Sequence, residues 1–192
     1  MKRKKCIRLI AFSVLMIAWA AGGGLSVLNA QEPPAEQPGA VPTAAMLPIL
    51  SSNDLATSAY ITGYLEKCLQ DRNAFNFVSK EKVDQAIAAG GYDMTKIFGL
   101  KKEEYKALAA KLGVDYILHG IIAVRKSIKF TGWRKDVDST IKLYDGKSGK
   151  SIDSWRSMTD FSFTDAETEK DANKMGEATA ASICEKMRKS GF

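Results

Sequence analysis

Residues 115–124 have the sequence DYILHGIIAV, an almost continuous run of apolar side chains. Such a run is typical of a central strand that is buried on both faces of a sheet, because a strand with one solvated face alternates apolar and polar residues. Residues 137–144, VDSTIKLY, do alternate, with their odd-numbered residues on the apolar face. The turn sequence DGKSG at 145–149 then predicts a hairpin to a return strand over 151–163. The second half of the chain therefore predicts a buried strand followed by antiparallel strands.

The segments before this strand alternate between short apolar runs and amphipathic helices. The first helix follows the capping cluster at 51–54 and carries its apolar stripe at Leu55, Ile61, Leu65, Cys68 and Leu69. The predicted order is β-α-β-α-α-β-β-β-α, with strands at 46–50, 75–78, 115–124, 137–144 and 151–163. The helices are predicted over the twenty residues after Asp54 and at 80–89, 101–112 and about 166–188. This order predicts an α/β (α+β) fold, a two-layer or three-layer sandwich with a mixed sheet of about five strands, parallel early and antiparallel late.

The amino-terminal residues form a three-part export pattern. A basic segment at 1–5 precedes an apolar run at 9–21, and Leu28-Asn29-Ala30 places a small residue at a cleavage position. We therefore expect residues 1–30 to be a signal peptide that is cut after Ala30, which places the protein in the periplasm. The alternative is an uncleaved anchor over 9–28, about the length that crosses a bilayer, which would tether the domain to the membrane and leave it facing the periplasm.

A proline-rich segment follows the export signal. Residues 31–44 contain four of the five prolines in the chain. Proline lacks the N–H that helices and sheets need, so such a segment is typical of a linker. We expect residues 45–192 to form a single α/β domain.

The basic character of the chain is concentrated in the export signal. The whole sequence has a net charge of +6, with 28 Lys and Arg against 22 Asp and Glu. Residues 1–30 contain Lys2, Arg3, Lys4, Lys5 and Arg8 and no acidic residue, so the remainder is close to neutral. A near-neutral domain lacks the basic surface that binds phosphate backbones. Nucleic acid is therefore not an expected partner.

The sequence contains no recognisable catalytic, cofactor or metal motif. His119 is the single histidine, and it lies in the middle of the most apolar strand, where a packed core histidine is the favoured interpretation. The cysteines and this histidine do not have the spacing of a zinc site, and the glycine pairs lack the context of a phosphate loop. We expect no catalytic residue, no cofactor and no enzymatic activity.

Cys68 and Cys184 lie on two predicted helices. Export would expose both cysteines to an oxidising compartment, where a disulfide is stable. A bridge between them would close a long loop and, in the chain-entropy account, stabilise the fold by roughly 4 to 5 kcal/mol. The alternative is that each is a small apolar core residue.

Two segments carry a resemblance to known proteins. The helix-to-strand segment LGVDYILHG at 112–120 and the hairpin DGKSGK at 145–150 resemble a periplasmic α/β domain. This domain is shared by the CsgG family of curli-secretion proteins, the LpoB-type activators of cell-wall synthases and the amino-terminal domain of TolB. The resemblance implies this fold and a role in the cell envelope. The lipid-anchoring cysteine usual in CsgG and LpoB proteins is absent here, and residues 125–136 are too short and too charged for a membrane-crossing hairpin.

The resemblance implies a non-enzymatic accessory or scaffold protein of the cell envelope. It would act through contacts with an envelope protein partner or by self-assembly. The alternative is a periplasmic module that binds a small ligand or a cell-wall glycan. The expected interface residues are basic and aromatic: Arg125, Lys126, Phe130, Trp133, Arg134 and Trp155. The alternative for the aromatic residues is that they cover the second face of the sheet.

Overall fold

A computed structural model describes residues 41–51, 53–129, 132–163 and 169–192. These residues belong to one folded unit, Gly39–Phe192. The predicted signal peptide, its cleavage site at Ala30 and most of the predicted linker lie outside the described residues. The elements are β1 (Thr43–Met46), β2 (Leu50–Ser51), α1 (Leu55–Asp71), β3 (Asn76–Phe77), α2 (Lys80–Ala89), α3 (Met94–Phe98), α4 (Lys102–Leu112), β4 (Tyr116–Lys129), β5 (Gly132–Asp145), β6 (Ser151–Phe163) and α5 (Glu169–Ser190).

The described strands form one mixed sheet, which confirms the predicted fold class. The order is β3-β1-β4-β5-β6, and β2 also pairs with β4. The strands β3, β1 and β4 are parallel, whereas β4, β5 and β6 are antiparallel. The chain order explains this division, because β1, β3 and β4 are separated along the chain by helices, whereas β4, β5 and β6 are separated by only a few residues.

Helices cover the two faces of the sheet unequally. We call the face covered by α1 and α5 the inner face; its core includes Ile61, Leu65 and Met175 against Leu118 and Ile141. The outer face is covered by α2, α3 and α4, whose buried side chains pack on β1 and on the beginning of β4. The parallel half of the sheet is therefore a three-layer sandwich. Beyond it, the antiparallel half is two-layered.

The prediction that residues 115–124 are buried on both faces holds for only half of that segment. Residues 117–120 are buried, but Ile121 is 50% exposed and Ala123 is also exposed. The reason is that α4 covers only the beginning of β4 on the outer face. The apolar run thus continues past the helix layer and emerges at the surface.

The charged residues 125–129 and 132–136 belong to the paired strands β4 and β5. The two strands pair continuously from Tyr116 with Asp145 to Lys129 with Gly132, including Arg125 with Asp136. Gly132 begins β5 with φ of 138°, a conformation that favours glycine. The basic residues 125–135 therefore alternate between the two faces of a long hairpin.

Four further details of the elements differ from the prediction. Strand β1 begins at Thr43, inside the predicted linker, and Pro48 separates it from β2. Leu55 is 68% exposed because it is the first residue of α1, outside the inward stripe. Helix α3 was not predicted; Asp93 caps it by accepting a hydrogen bond from Lys96 N–H. Helix α5 runs to Ser190, beyond the predicted end at Arg188.

Candidate interaction surface

The outer face of the antiparallel strands carries a continuous exposed surface, which we call the hairpin face. Its side chains come from every second residue of β4, β5 and β6, and the cross-strand register places them side by side: Ile121 with Thr140 and Arg156, Ala123 with Asp138 and Met158, and Arg125 with Asp136 and Asp160. No helix among the described residues covers this surface.

Ion pairs connect the three strands across the hairpin face. Arg156 binds Asp138 through two hydrogen bonds, Nε to Oδ1 at 2.8 Å and Nη2 to Oδ2 at 2.5 Å. Arg134 contacts two aspartates. Its Nε lies 2.7 Å from Asp136 Oδ1, and its Nη2 lies 3.1 Å from Asp160 Oδ2. The hydrogen bonds from Arg156 lower the pKa of Asp138. Exposed pairs of this kind add little to stability, so their main effect is to order a polar surface.

Exposed apolar side chains lie between these ion pairs. Met158 is 66% exposed, Ile121 is 50% exposed, and Phe98 on α3 is 48% exposed. Phe98 and Ile121 line a shallow depression of about 210 Å³ together with Ala123 and Asp138. An apolar centre bordered by ordered polar groups is the usual anatomy of a protein–protein interface. The hairpin face has this arrangement.

The predicted interface residues are divided between the two faces. Arg134 lies on the hairpin face, and Arg125 has the same orientation. Lys126 and Trp133 belong to the inner face, where the Lys126 ammonium lies 4.1 Å from the centroid of the Trp133 ring, a cation–π contact. Phe130 lies outside the described residues.

Trp155 is a correction to the predicted interface. Its side chain is only 4% exposed, because it lies on the inner face beneath the end of α5. The ring packs edge-on against Phe192 at 5.5 Å between centroids, and the indole N–H donates to Ser190 Oγ at 3.1 Å. Trp155 pairs with Ile141, whose inward orientation the alternation of residues 137–144 had predicted. Cross-strand register was therefore the signal for its burial.

The sequence did not predict a buried ion pair between Lys135 and Asp54. Lys135 Nζ lies 3.0 Å from Asp54 Oδ2, and the two side chains are only 7% and 9% exposed. Asp54 also caps α1 by accepting a hydrogen bond from Thr57 N–H at 2.9 Å. Burial opposes the charge of Asp54, but the hydrogen bonds from Thr57 and Lys135 outweigh it and lower its pKa. Lys135 therefore holds the hairpin to α1 and does not belong to an exposed basic loop.

A disulfide joins Cys68 on α1 to Cys184 on α5, with 6.7 Å between their Cα atoms. Cys184 is buried at 1% exposure, so the bond lies within the inner core. Cys184 is therefore both a disulfide partner and a buried core residue, the two interpretations that the sequence offered as alternatives.

His119 lies in the interior, below the outer-face helices. It is 5% exposed, and its Nδ1 is 2.6 Å from the hydroxyl of Tyr105. Burial, with a smaller contribution from Lys142, lowers the pKa of His119 to about 4, so the imidazole is neutral at pH 7. Its described hydrogen bond is to a tyrosine rather than to a nucleophile paired with an acid, the arrangement that hydrolases use.

Among the described residues, no helix combines the length and the apolar run that crossing a membrane requires. Within the same residues, no three His, Cys, Asp or Glu side chains are grouped as metal ligands.

The fold defines a small mixed α/β domain of a kind found in bacterial lipoproteins. The crystal structure of lipoprotein GNA1162 from Neisseria meningitidis matches with a TM-score of 0.58 at 13% identity, over 77% of this chain and 99% of that chain. The protein CT253 from Chlamydia trachomatis matches with a TM-score of 0.51 at 11% identity, over 78% of this chain and 94% of that chain. No protein-family model and no curated protein matches the chain.

The fold of the resemblance stated from the sequence is supported by lipoprotein GNA1162. The carboxy-terminal domain of LpoB from Salmonella enterica is among the similar structures, with a TM-score of 0.45 at 15% identity, over 62% of this chain and 83% of that chain. The resemblance to CsgG and TolB remains a prediction. At these identities the comparisons establish the fold alone.

Proposed function

We propose that this chain is a non-enzymatic accessory protein of the cell envelope that acts through protein–protein contacts at the hairpin face. The observation that carries the proposal is the exposure of Ile121, Met158 and Phe98 among ordered ion pairs. Exposed apolar patches that are rimmed by polar residues mark sites of protein interaction. The partner is another envelope protein or a second copy of the chain.

The proposed location is the periplasm, after export and cleavage at Ala30. The export pattern of residues 1–30 and the disulfide between Cys68 and Cys184 support it, because such bonds persist in oxidising compartments. The fold shared with a bacterial lipoprotein is consistent with the envelope. The alternative is an uncleaved signal that tethers the domain to the membrane, facing the periplasm.

The alternative function, a glycan-binding module, is not favoured by the positions of the aromatic side chains. It depended on exposed aromatic rings that could stack on sugars. Trp155 is buried, and the ring of Trp133 is covered by Lys126.

The proposal is tested by recovering partners from envelope extract with the tagged chain and with single variants. We expect Met158→Glu and Ile121→Glu each to remove a stoichiometric partner without changing the melting temperature, since both side chains are exposed. Ile152→Glu is the matched control: Ile152 is 51% exposed on the same strand as Met158, near the opposite end.

A partner lost by both hairpin-face variants and kept by Ile152→Glu supports the proposal. A partner that all three variants retain places the contact elsewhere and refutes it. Cross-linking of the purified chain, with the same variants, distinguishes self-assembly from a different partner.

A further inference from the structure

A crevice opens at the carboxyl ends of two neighbouring parallel strands, β1 and β3. After β1 the chain passes to α1 on the inner face, whereas after β3 it passes to α2 on the outer face. The two connections therefore separate on opposite sides of the sheet. In open α/β sheets, this is the place where ligands bind.

The crevice is apolar and large enough for a small molecule. Its volume is about 280 Å³. Met46, Pro48 and Ile49 line it from the segment that ends β1, and Val78 and Val83 line it from the segment that begins α2. Pockets that bind small molecules are lined in this way, with a few polar groups that orient the ligand.

Gly63 on α1 keeps one wall of the crevice open. It lies in the interior of the helix, where glycine is less stable than alanine. Its φ is not in the left-handed region, and a Cβ built there meets no described atom within 4 Å. Neither the backbone nor the packing therefore requires glycine, but a longer side chain would enter the crevice.

Glu66, one turn after Gly63, places a carboxylate on the same wall. Its described hydrogen bond comes from the amide of Gln70 at 3.4 Å, and burial raises its pKa. The other charged groups of the crevice, Lys80 and Asp84, bind each other at 2.8 Å. The crevice therefore has a net negative charge that no described cation neutralises at Glu66.

We propose that this crevice binds a small amphiphilic molecule, with its apolar part between α1 and α2 and a cationic group at Glu66. The volume and the apolar lining select the body of the ligand, and the carboxylate selects the charge of its end. This site is separate from the hairpin face. Its failure would leave the proposed protein contacts untouched.

Calorimetric titration of the full chain with octylamine, which is protonated at pH 7, tests the proposal. Octanoate, of the same length and opposite charge, is the ligand control. We expect octylamine to bind at least tenfold more tightly than octanoate. Glu66→Gln should remove this preference, whereas Glu103→Gln, an exposed acid on α4, should leave it unchanged.

Gly63→Leu tests the space itself. It should abolish binding of both ligands while the melting temperature stays the same or rises, because leucine favours helix and has room. Three results would overturn the proposal. The Gly63→Leu variant binds octylamine as tightly as the natural chain does, the natural chain binds octanoate as tightly as octylamine, or the natural chain does not bind octylamine. If Gly63→Leu removes the protein partner and the natural chain does not bind octylamine, the crevice is a protein contact and the proposal is also overturned.

Discussion

Replacing Lys135 with methionine should destabilise the protein far more than the loss of an ordinary surface lysine. Lys135 and Asp54 form an ion pair whose side chains are 7% and 9% exposed. Methionine fills a similar volume but leaves the Asp54 carboxylate buried without this cation. Removing one partner of a buried pair costs about 3 to 5 kcal/mol, and we expect about 3 kcal/mol because Asp54 keeps its hydrogen bond from Thr57 N–H.

The expected loss has a second signature in its dependence on pH. The pKa of Asp54 is lowered in the folded protein, so its contribution to stability is present above the ordinary pKa of 3.8 and is lost as the pH falls through the lowered value. In the Lys135→Met variant this pKa should rise. The difference in unfolding free energy between the two proteins should therefore shrink below about pH 4.

Urea unfolding followed by tryptophan fluorescence measures these differences. The matched control is Arg188→Met, which removes an exposed pair with Glu185 and should change the unfolding free energy far less, because solvent screens exposed pairs. Adding Asp54→Asn to Lys135→Met should restore most of the loss, because asparagine caps a helix as well as aspartate and no charge remains buried. A loss no larger than that of the control, or no recovery in the double variant, would refute the argument from burial.

Three further outcomes follow from the described residues. The imidazole resonance of His119 should titrate near pH 4. Because histidine in the unfolded chain binds its proton near pH 6.5, the unfolding free energy should decrease as the pH falls from 6.5 to 4. His119→Gln should weaken this pH dependence in a series of melting curves. Replacing both Cys68 and Cys184 with alanine should lower the unfolding free energy by roughly 4 to 5 kcal/mol, the chain-entropy value for this loop, and reductant should then have no further effect on the melting curve. Trp155→Ala should cost about 3 to 5 kcal/mol in urea unfolding and Trp133→Ala clearly less, whereas equal losses would contradict the assignment of their burial.

Much of the fold followed from local patterns. Alternation over residues 137–144 predicted an inward face that the structure confirms at Val137, Ser139, Ile141 and Leu143. The helices predicted at 80–89 and 101–112 are likewise confirmed, as α2 and α4. These patterns are readable because burial of one face of a strand or helix imposes a period of 2 or 3.6 residues on the sequence.

The candidate sites were less accessible to sequence reasoning. Residues 125–136 lacked a clear turn signal, so the pairing of Arg125 with Asp136 and of Lys129 with Gly132 was not foreseen. Trp155 depends on a different register, that of β5 with β6, which pairs it with the inward-facing Ile141. Likewise, the contact of Lys135 with Asp54 joins residues 81 positions apart, and no local pattern encodes it.

The sequence by itself determined most of the order of the elements and the inward face of β5, because these patterns depend on neighbours within a few residues. It did not reveal α3 or the separation of β1 from β2. The apolar run of residues 115–124, which announced a central strand, is confirmed as that strand. Only the tertiary structure decided where its second face is covered, because the extent of cover depends on where α4 ends over the sheet. That boundary separates the buried His119 from the exposed Ile121, and with it the core from the surface that we propose as the interface.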